Sequence, residues 1–512
     1  MTFSRAAVLM ALSAVLLFAP PSRAQQQHRD HPAPEKLGSV SFSTSCSAAV
    51  QPRFERSVAL LHSFAYFAAQ QSFEEVAQAD PQCAMAHWGI AMSYFHQLWE
   101  PPVIPAGQAR SQSELALARD LATTDRERRF IEALSVFYNS TGSASVRIKA
   151  YAYADAMAAL AHKYPADVEA QVFYALALLA AASPSDKTHA NQKAAVAILS
   201  PLYQQHPDHP GLAHYLIHAD DNAELAAQGL PAARAYAHIA PSAPHALHMP
   251  SHIFTRLGLW DDSIASNQAA RAAAHQQGDI GEELHAMDYL TYAYLQRGRD
   301  SDAAHVLDDL RAMEHLNVGD FKSGYAATAM PVRYAVERKK WDDAARIVPL
   351  DAAPPHVVAI IYWARALGRA RAAQAGDASS DIAHLKDCMD RLNAAGNSYW
   401  ATQVHIQVLE AQAWNSLAHN AAEEAVSLMR SAADEEDAVE KLPVTPGPVV
   451  PAREQLGEML LALNRASPAL AEFEASLKLA PGRRNALMGA ASSADLVGDT
   501  KKAQTFRAAL GQ

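Results

Sequence analysis

Along most of the chain, apolar residues recur at the three- and four-residue spacing of one helix face, in Ala-rich stretches separated by Pro, Gly and Asp. No sustained alternation of β-branched residues interrupts them, so the pattern predicts helices almost throughout. The clearest unit runs Ser251-His252-Ile253-Phe254-Thr255-Arg256-Leu257-Gly258-Leu259-Trp260, followed by Ser263, Asn267 and Ala270. Gly258 is expected to end one helix and Trp260 to begin the packing of the next. Pro241 closes the unit before it.

The frame recurs with Leu60, Tyr66, Ala69, Phe73 and Pro81, with Tyr294, Gly298 and Ala303, and with Trp341 and Ala344. It returns at Leu456, Gly457, Phe473 and Pro481, and ends at Gly498 and Ala503. Residues 100–200 and 350–400 keep it less well, with inserts such as Ser183-Pro184-Ser185-Asp186. This self-similarity resembles tetratricopeptide repeats, antiparallel helix pairs with a period of ~34 residues. The resemblance implies an all-α fold, a right-handed superhelical solenoid whose first helices line a concave face. It also implies that the second, fifth and ninth positions of each repeat point inward.

The ends refine this picture. Arg5, the apolar run Ala6–Ala19 and the small-residue site Ser22-Arg23-Ala24 read as a signal peptide over residues 1–24. Residues 25–50 are expected to be a flexible lead-in, and 51–512 the solenoid. No apolar stretch after residue 24 is long enough to span a bilayer. The expected location is therefore periplasmic or extracellular. There Cys46 and Cys83 could pair, leaving Cys388 odd, or all three could be buried small hydrophobes. The formal charge of −11 over 512 residues, with no basic stripe, argues against nucleic acid or an anionic membrane as partner.

Chemistry concentrates in the repeats of residues 210–300. Counting Pro241 as position 32 puts His214 and His218 at positions 5 and 9 of one unit, and His245, His248 and His252 at 2, 5 and 9 of the next. Gly298 then sets the register that gives His285, Asp288 and Tyr292 the same three positions. Six imidazoles on three consecutive first helices point to a shared transition-metal site, zinc or copper, because neutral imidazole is a common ligand for both. His214, His218, His245, His248, His252, His285 and Asp288 are the candidate ligands. Asp288 and Tyr292 are candidate catalytic groups for metal-assisted hydrolysis or oxidation of a small polar substrate. Tyr215 after His214 rules out the H-E-x-x-H protease pattern, and no C-x-x-C-H exists for covalent haem.

Arg256 could hold an anionic substrate or be ion-paired. Asp220 and Asp221 could orient ring nitrogens or merely cap a helix. Pro250 is expected to interrupt the helix between His248 and His252. His62 and His96 form a weaker echo at position 13. Pro443–Pro451 could be a stiff linker or could hold Arg453 and Glu454 over the groove. The motifs His-Tyr-x-x-His-Ala-x-Asp and His-Ala-x-His-Met-Pro-Ser-His-Ile-Phe, with this proline segment, resemble a group of exported bacterial tetratricopeptide proteins. That resemblance implies fold and export, and no chemistry. Two readings compete with the metal site: an unmetallated polar pocket, and a non-enzymatic scaffold binding a peptide or protein in the groove. The family's peptide grooves are usually lined by Lys, Arg or Asn, which His replaces here. Packed imidazoles repel one another's charge, so an empty cluster should titrate below ~6.5.

Overall fold

The computed structural model describes residues 35–98, 105–139, 146–350, 353–372 and 376–511, and the expected signal peptide lies outside them. Helices follow one another from Gln51–His62 to Thr500–Leu510, most of the described connections being short, with no strand among the described residues. Each helix packs on its sequence neighbour, and first helices also stack on first helices. One such stack runs Ile280–Gln296, Phe321–Glu337, Pro355–Arg371 and Ser398–Ala418. The fold is an all-α solenoid of helix pairs, as the repeat pattern predicts.

Turn glycines terminate helices where the frame places them. Gly258, Gly298 and Gly498 adopt left-handed φ of 70°, 67° and 83°, a region open to glycine at little cost. Gly258 has a second constraint: a Cβ there would lie 2.6 Å from the Pro481 carbonyl oxygen. This close approach belongs to the feature that most shapes the site. Both ends of the solenoid curl back onto its middle. Gln51–His62 touches Pro210–Asp220, and Ile280–Gln296 touches Arg484–Leu496. Trp260 closes the second contact by donating its indole N–H to the Gly482 carbonyl at 3.0 Å.

Between these contacts runs the non-helical segment Glu440–Pro451, across the inner side of the central repeats. Its Val444, Thr445, Val449 and Val450 are buried. Glu440 N–H donates to the Pro184 carbonyl at 2.7 Å, so the Ser183–Asp186 insert anchors the segment's start. Arg333 donates to the carbonyls of Gly447 and Pro448 at 3.0 and 3.1 Å. The segment is thus a fixed, packed connection, nearer the expected stiff linker than a perch for its charged end. Arg453 is ion-paired with Asp434, Asp437 and Glu472, and Glu454 is buried against Arg483.

Residues 36–50 differ from the expected flexible lead-in. Phe42 is fully buried among Phe54, Trp88 and Phe130, and Ser39 N–H bonds the Asp208 carbonyl. One large aromatic residue buries enough apolar surface to dock a short extended segment. Cys46 and Cys83 form a disulfide, which ties this segment to the second repeat, and Cys388 is buried and free.

Candidate metal centre

Three helices and one helix break bring the six histidines together. Pro210–Asp220 starts with Pro at its first turn and with the His209 ring accepting from Leu212 N–H. Its His214 and His218 are one turn apart on one face. Pro244–His248 and Pro250–Arg256 meet at Met249, whose dihedrals stay helical. Pro250 has no N–H to donate to Ala246, so the ladder breaks there while Met249 keeps helical dihedrals. His245, His248 and His252 therefore still share a face. Ile280–Gln296, capped by the Asp279 carboxylate, supplies His285. All six imidazoles are at least 93% buried, with His218 the most exposed at 7%.

They divide into two groups, His214–His218–His245 and His248–His252–His285, each with ligand nitrogens within 4.8 Å of one another. The groups adjoin: the His245 and His248 ring centres are 6.1 Å apart, and those of His218 and His252 6.0 Å. Facing helices give the separations that one ion, or two, could bridge.

Hydrogen bonds fix the tautomers and make the second group distinctive. His248 Nδ1 lies 2.6 Å from Asn267 Oδ1, whose amide nitrogen is spent on the Ser263 carbonyl, so His248 Nδ1 must carry the proton. His252 Nδ1 lies 2.9 Å from Asp221 Oδ2, an acceptor only, so it too is Nδ1–H. Yet the Nε2 atoms of His248 and His252 face each other at 3.0 Å. Both neutral rings then present lone pairs to one another with no proton between. A third ring, His285, sits 4.2 Å from His248 centre to centre, and the Tyr289 hydroxyl is 3.4 Å from His252 Nε2. Two Nε2 lone pairs bound to one tetrahedral zinc ion would be about 3.3 Å apart. The donor set therefore fits a metal ion.

The first group differs. His214 Nδ1–H donates to the His62 carbonyl at 2.6 Å, leaving its Nε2 as acceptor, and His218 Nε2–H can donate to it at 3.0 Å. This pair is satisfied as a neutral hydrogen bond. His245 Nδ1 faces Glu282 at 3.2 Å, and Glu282 is paired with Lys322 at 2.6 Å.

Electrostatics keep His214, His218, His248, His252 and His285 neutral. Burial, then repulsion from neighbouring imidazoles, holds His214, His218 and His248 well below the usual histidine range, and burial dominates for His285 as well. Burial brings His252 down to about 4, with Asp221 opposing. Burial works against ionising Asp221, but Lys441 at 2.8 Å and Arg256 at 2.9 Å keep it well below the carboxylate range. An ionised Asp221 orients His252 and raises its basicity as a ligand.

A third cluster, His62–Glu169–His209, is equally buried but saturated. Glu169 accepts from His62 and His209 at 2.9 Å each, His62 Nδ1 meets the Tyr215 hydroxyl at 3.0 Å, and His209 Nδ1 caps a helix. It braces the His62 carbonyl that holds His214. His96, the other half of the expected echo, instead stacks on Tyr66 at 3.9 Å.

Of the remaining sequence-predicted residues, Asp221 does orient a ring, whereas Asp220 bonds Gln228 at 2.8 Å. Asp288 stands outside both histidine groups and pairs with Arg333 at 3.1 Å. Tyr292 accepts from Arg483 at 2.9 Å. Arg256 is paired with Asp221 and Glu440, although it also lines a cavity. Tyr289, Asn267, Glu282 and Lys441 are the partners that the repeat frame missed. Tyr289, one turn beyond His285, was visible as an i+4 neighbour; Lys441, from a segment some 200 residues away, carried no signal. A cavity of about 250 Å³ reaches the cluster, with His218, Asp221 and Lys441 in its wall beside His96, Arg147 and Gln192.

No family model matches the chain, and no curated protein does. Among solved structures, that of Ypp1 is 8% identical with a TM-score of 0.43, covering 83% of this chain and 64% of Ypp1. A human IFIT1 dimer with m7Gppp-AAAA is 10% identical, TM-score 0.37, covering 83% and 89% of the two chains. The P58(IPK) TPR domain is 11% identical, TM-score 0.21, covering 89% and 100%. The chain's own architecture defines its class: a tetratricopeptide-like solenoid of helix pairs, with its central first helices converging on six buried imidazoles.

Proposed function

We propose that this is an exported solenoid protein that binds a transition metal, zinc or copper, in the buried histidine cluster. The primary site is His248–His252–His285, and His214–His218–His245 offers a second. The carrying observation is the His248–His252 pair: both Nδ1 atoms are committed as donors while both Nε2 lone pairs meet at 3.0 Å. A metal ion is the partner that relieves this repulsion without protonating a buried ring. Such an ion supplies Lewis acidity, or redox chemistry in the case of copper.

The chain's own residues would do the rest. Asn267 and Asp221 hold two rings in the ligating tautomer, and burial keeps them unprotonated. Tyr289 brings a hydroxyl to the site for holding a substrate oxygen or a proton. A small polar substrate would enter through the cavity walled by His218, and hydrolysis or oxidation is the class of reaction that fits. Export is supported by the N-terminal apolar run and the Cys46–Cys83 disulfide, which persists in oxidising compartments.

Metal content of the untagged mature protein, measured by mass spectrometry, tests this reading. Stoichiometric zinc or copper is expected, and His248→Ala with His252→Ala should lower affinity at least about tenfold. Protein that is metal-free and cannot be loaded with either ion would end the proposal.

A further inference from the structure

A second cavity, of about 170 Å³, lies on the other side of the Glu440–Lys441 wall and contains none of the six histidines. It is large enough for a molecule of several atoms rather than one water. Five large aromatic side chains line it: Tyr292, Tyr325, Trp363, Tyr399 and Trp400. Four polar atoms in its wall are buried without a hydrogen-bond partner, His356 Nε2, Trp363 Nε1, Gln407 Oε1 and Ser476 Oγ. Ser476 is only 2% exposed. Unpaired buried polar groups are rare in native proteins, and four on one cavity point to a missing partner.

Charge identifies the kind of partner. The cations at this cavity are already matched: Arg256 by Asp221 and Glu440, Lys441 by Asp221, Lys187 by Glu440, and Arg453 by three carboxylates. Two carboxyls are not. Glu410 and Glu436 form no ion pair among the described residues; Glu410 accepts from the Gln455 amide and Glu436 from Ala452 N–H. Burial, then repulsion from Glu436, pushes Glu410 well up, and burial takes Glu436 to about 8. An acidic pair with no ion-pair partner, its Glu436 reached by Arg483 and Arg453 only at longer range, is walled by indole and phenol rings and built to receive positive charge.

We infer that this cavity binds a small organic amine, its ammonium taken by Glu410, Glu436 and the Gln407 carbonyl and its carbon skeleton lying against Trp363 and Trp400. His356 and Ser476 serve polar groups elsewhere on the molecule. The site is independent of any metal, although Lys441 and Arg256 link its wall through Asp221 to His252.

Calorimetry and tryptophan fluorescence on the full mature protein test this with phenethylamine, its neutral isostere 2-phenylethanol and the anion phenylacetate. Phenethylamine should bind once per chain, at least about tenfold tighter than either isostere, the ratio that one charge-assisted contact supplies. Glu410→Gln should erase that preference, and Gln407→Leu should weaken it, with circular dichroism confirming an intact fold. Binding should survive chelation and the His248→Ala change, which separates this outcome from the fate of the metal proposal. Equal binding of amine and alcohol would overturn the inference. So would dissociation constants weaker than about 10 mM for phenethylamine, cadaverine and choline alike.

Discussion

At the scale of single residues, burial favours the neutral forms of Glu436 and His356, and each has a direction in pH. Glu436 titrates near 8 in the fold against an ordinary 4.5, so the folded state binds the extra proton. Its contribution is complete below pH 4.5 and is lost as pH rises toward 8. His356 behaves oppositely: burial lowers it from 6.5 to about 4, so stability present above pH 6.5 is lost as pH falls toward 4. Their joint contribution should therefore peak between about pH 4.5 and 6.5 and decline on either side. Glu436→Gln keeps an acceptor for Ala452 N–H while removing the charge. Scanning calorimetry should find its melting temperature raised at pH 8 and unchanged at pH 4.5. A drop at both would mean that the carboxyl's shape, not its proton, matters there.

At the scale of elements, buried arginines couple helices that helix-pair stacking alone would leave apart. Arg483 is fully buried at the start of Arg484–Leu496. It donates to Glu454 at 2.7 Å, Glu337 at 2.7 Å and Tyr292 at 2.9 Å, joining four elements. Arg333 does the same between Asp288 and the Gly447–Pro448 carbonyls. Removing one member strands buried carboxylates, which typically costs about 3–5 kcal/mol. Arg483→Met should destabilise by that amount in chemical denaturation, and hydrogen exchange should accelerate in residues 440–451. A variant as stable as the parent would show that Glu337 and Glu454 are not held ionised by this arginine. Here Asp288 and Tyr292 find their role: both lie on the arginine network that positions the proline segment.

At the scale of the whole molecule, the solenoid is closed rather than open. A concave groove is the usual working surface of such arrays, but here the chain fills its own, with both ends and Glu440–Pro451 packed on the central repeats. The inward imidazoles thus become buried ones. Gly258 is a sensitive point of this closure, because a side chain there meets the Pro481 carbonyl oxygen at 2.6 Å and must also accept φ of +70°. Gly258→Ala should cost about 1–3 kcal/mol of stability from the strained backbone alone. It should also loosen the contact between Trp260 and Gly482, seen as a shift in tryptophan emission. An unchanged spectrum and melting curve would show that the C-terminal repeats do not bear on the centre.

How much of this was legible beforehand follows from which interactions are local. Helix type, the turn glycines and the shared face of His245, His248 and His252 depend on residues within a few positions of one another, and the repeat frame carried them. Register alone also brought His214, His218 and His285 to that face, because each repeat reproduces the same rotation. What surrounds those rings was set by contacts across 30 to 220 residues: Asp221 under His252, Glu282 under His245, Lys441 from the proline segment. No periodicity encodes such pairings, since each depends on how far the superhelix turns before its ends meet. The sequence by itself determined a stack of helix pairs with histidines facing inward. Only the closed tertiary structure decided that they are buried, which tautomers they adopt, and that an acidic aromatic cavity forms beside them.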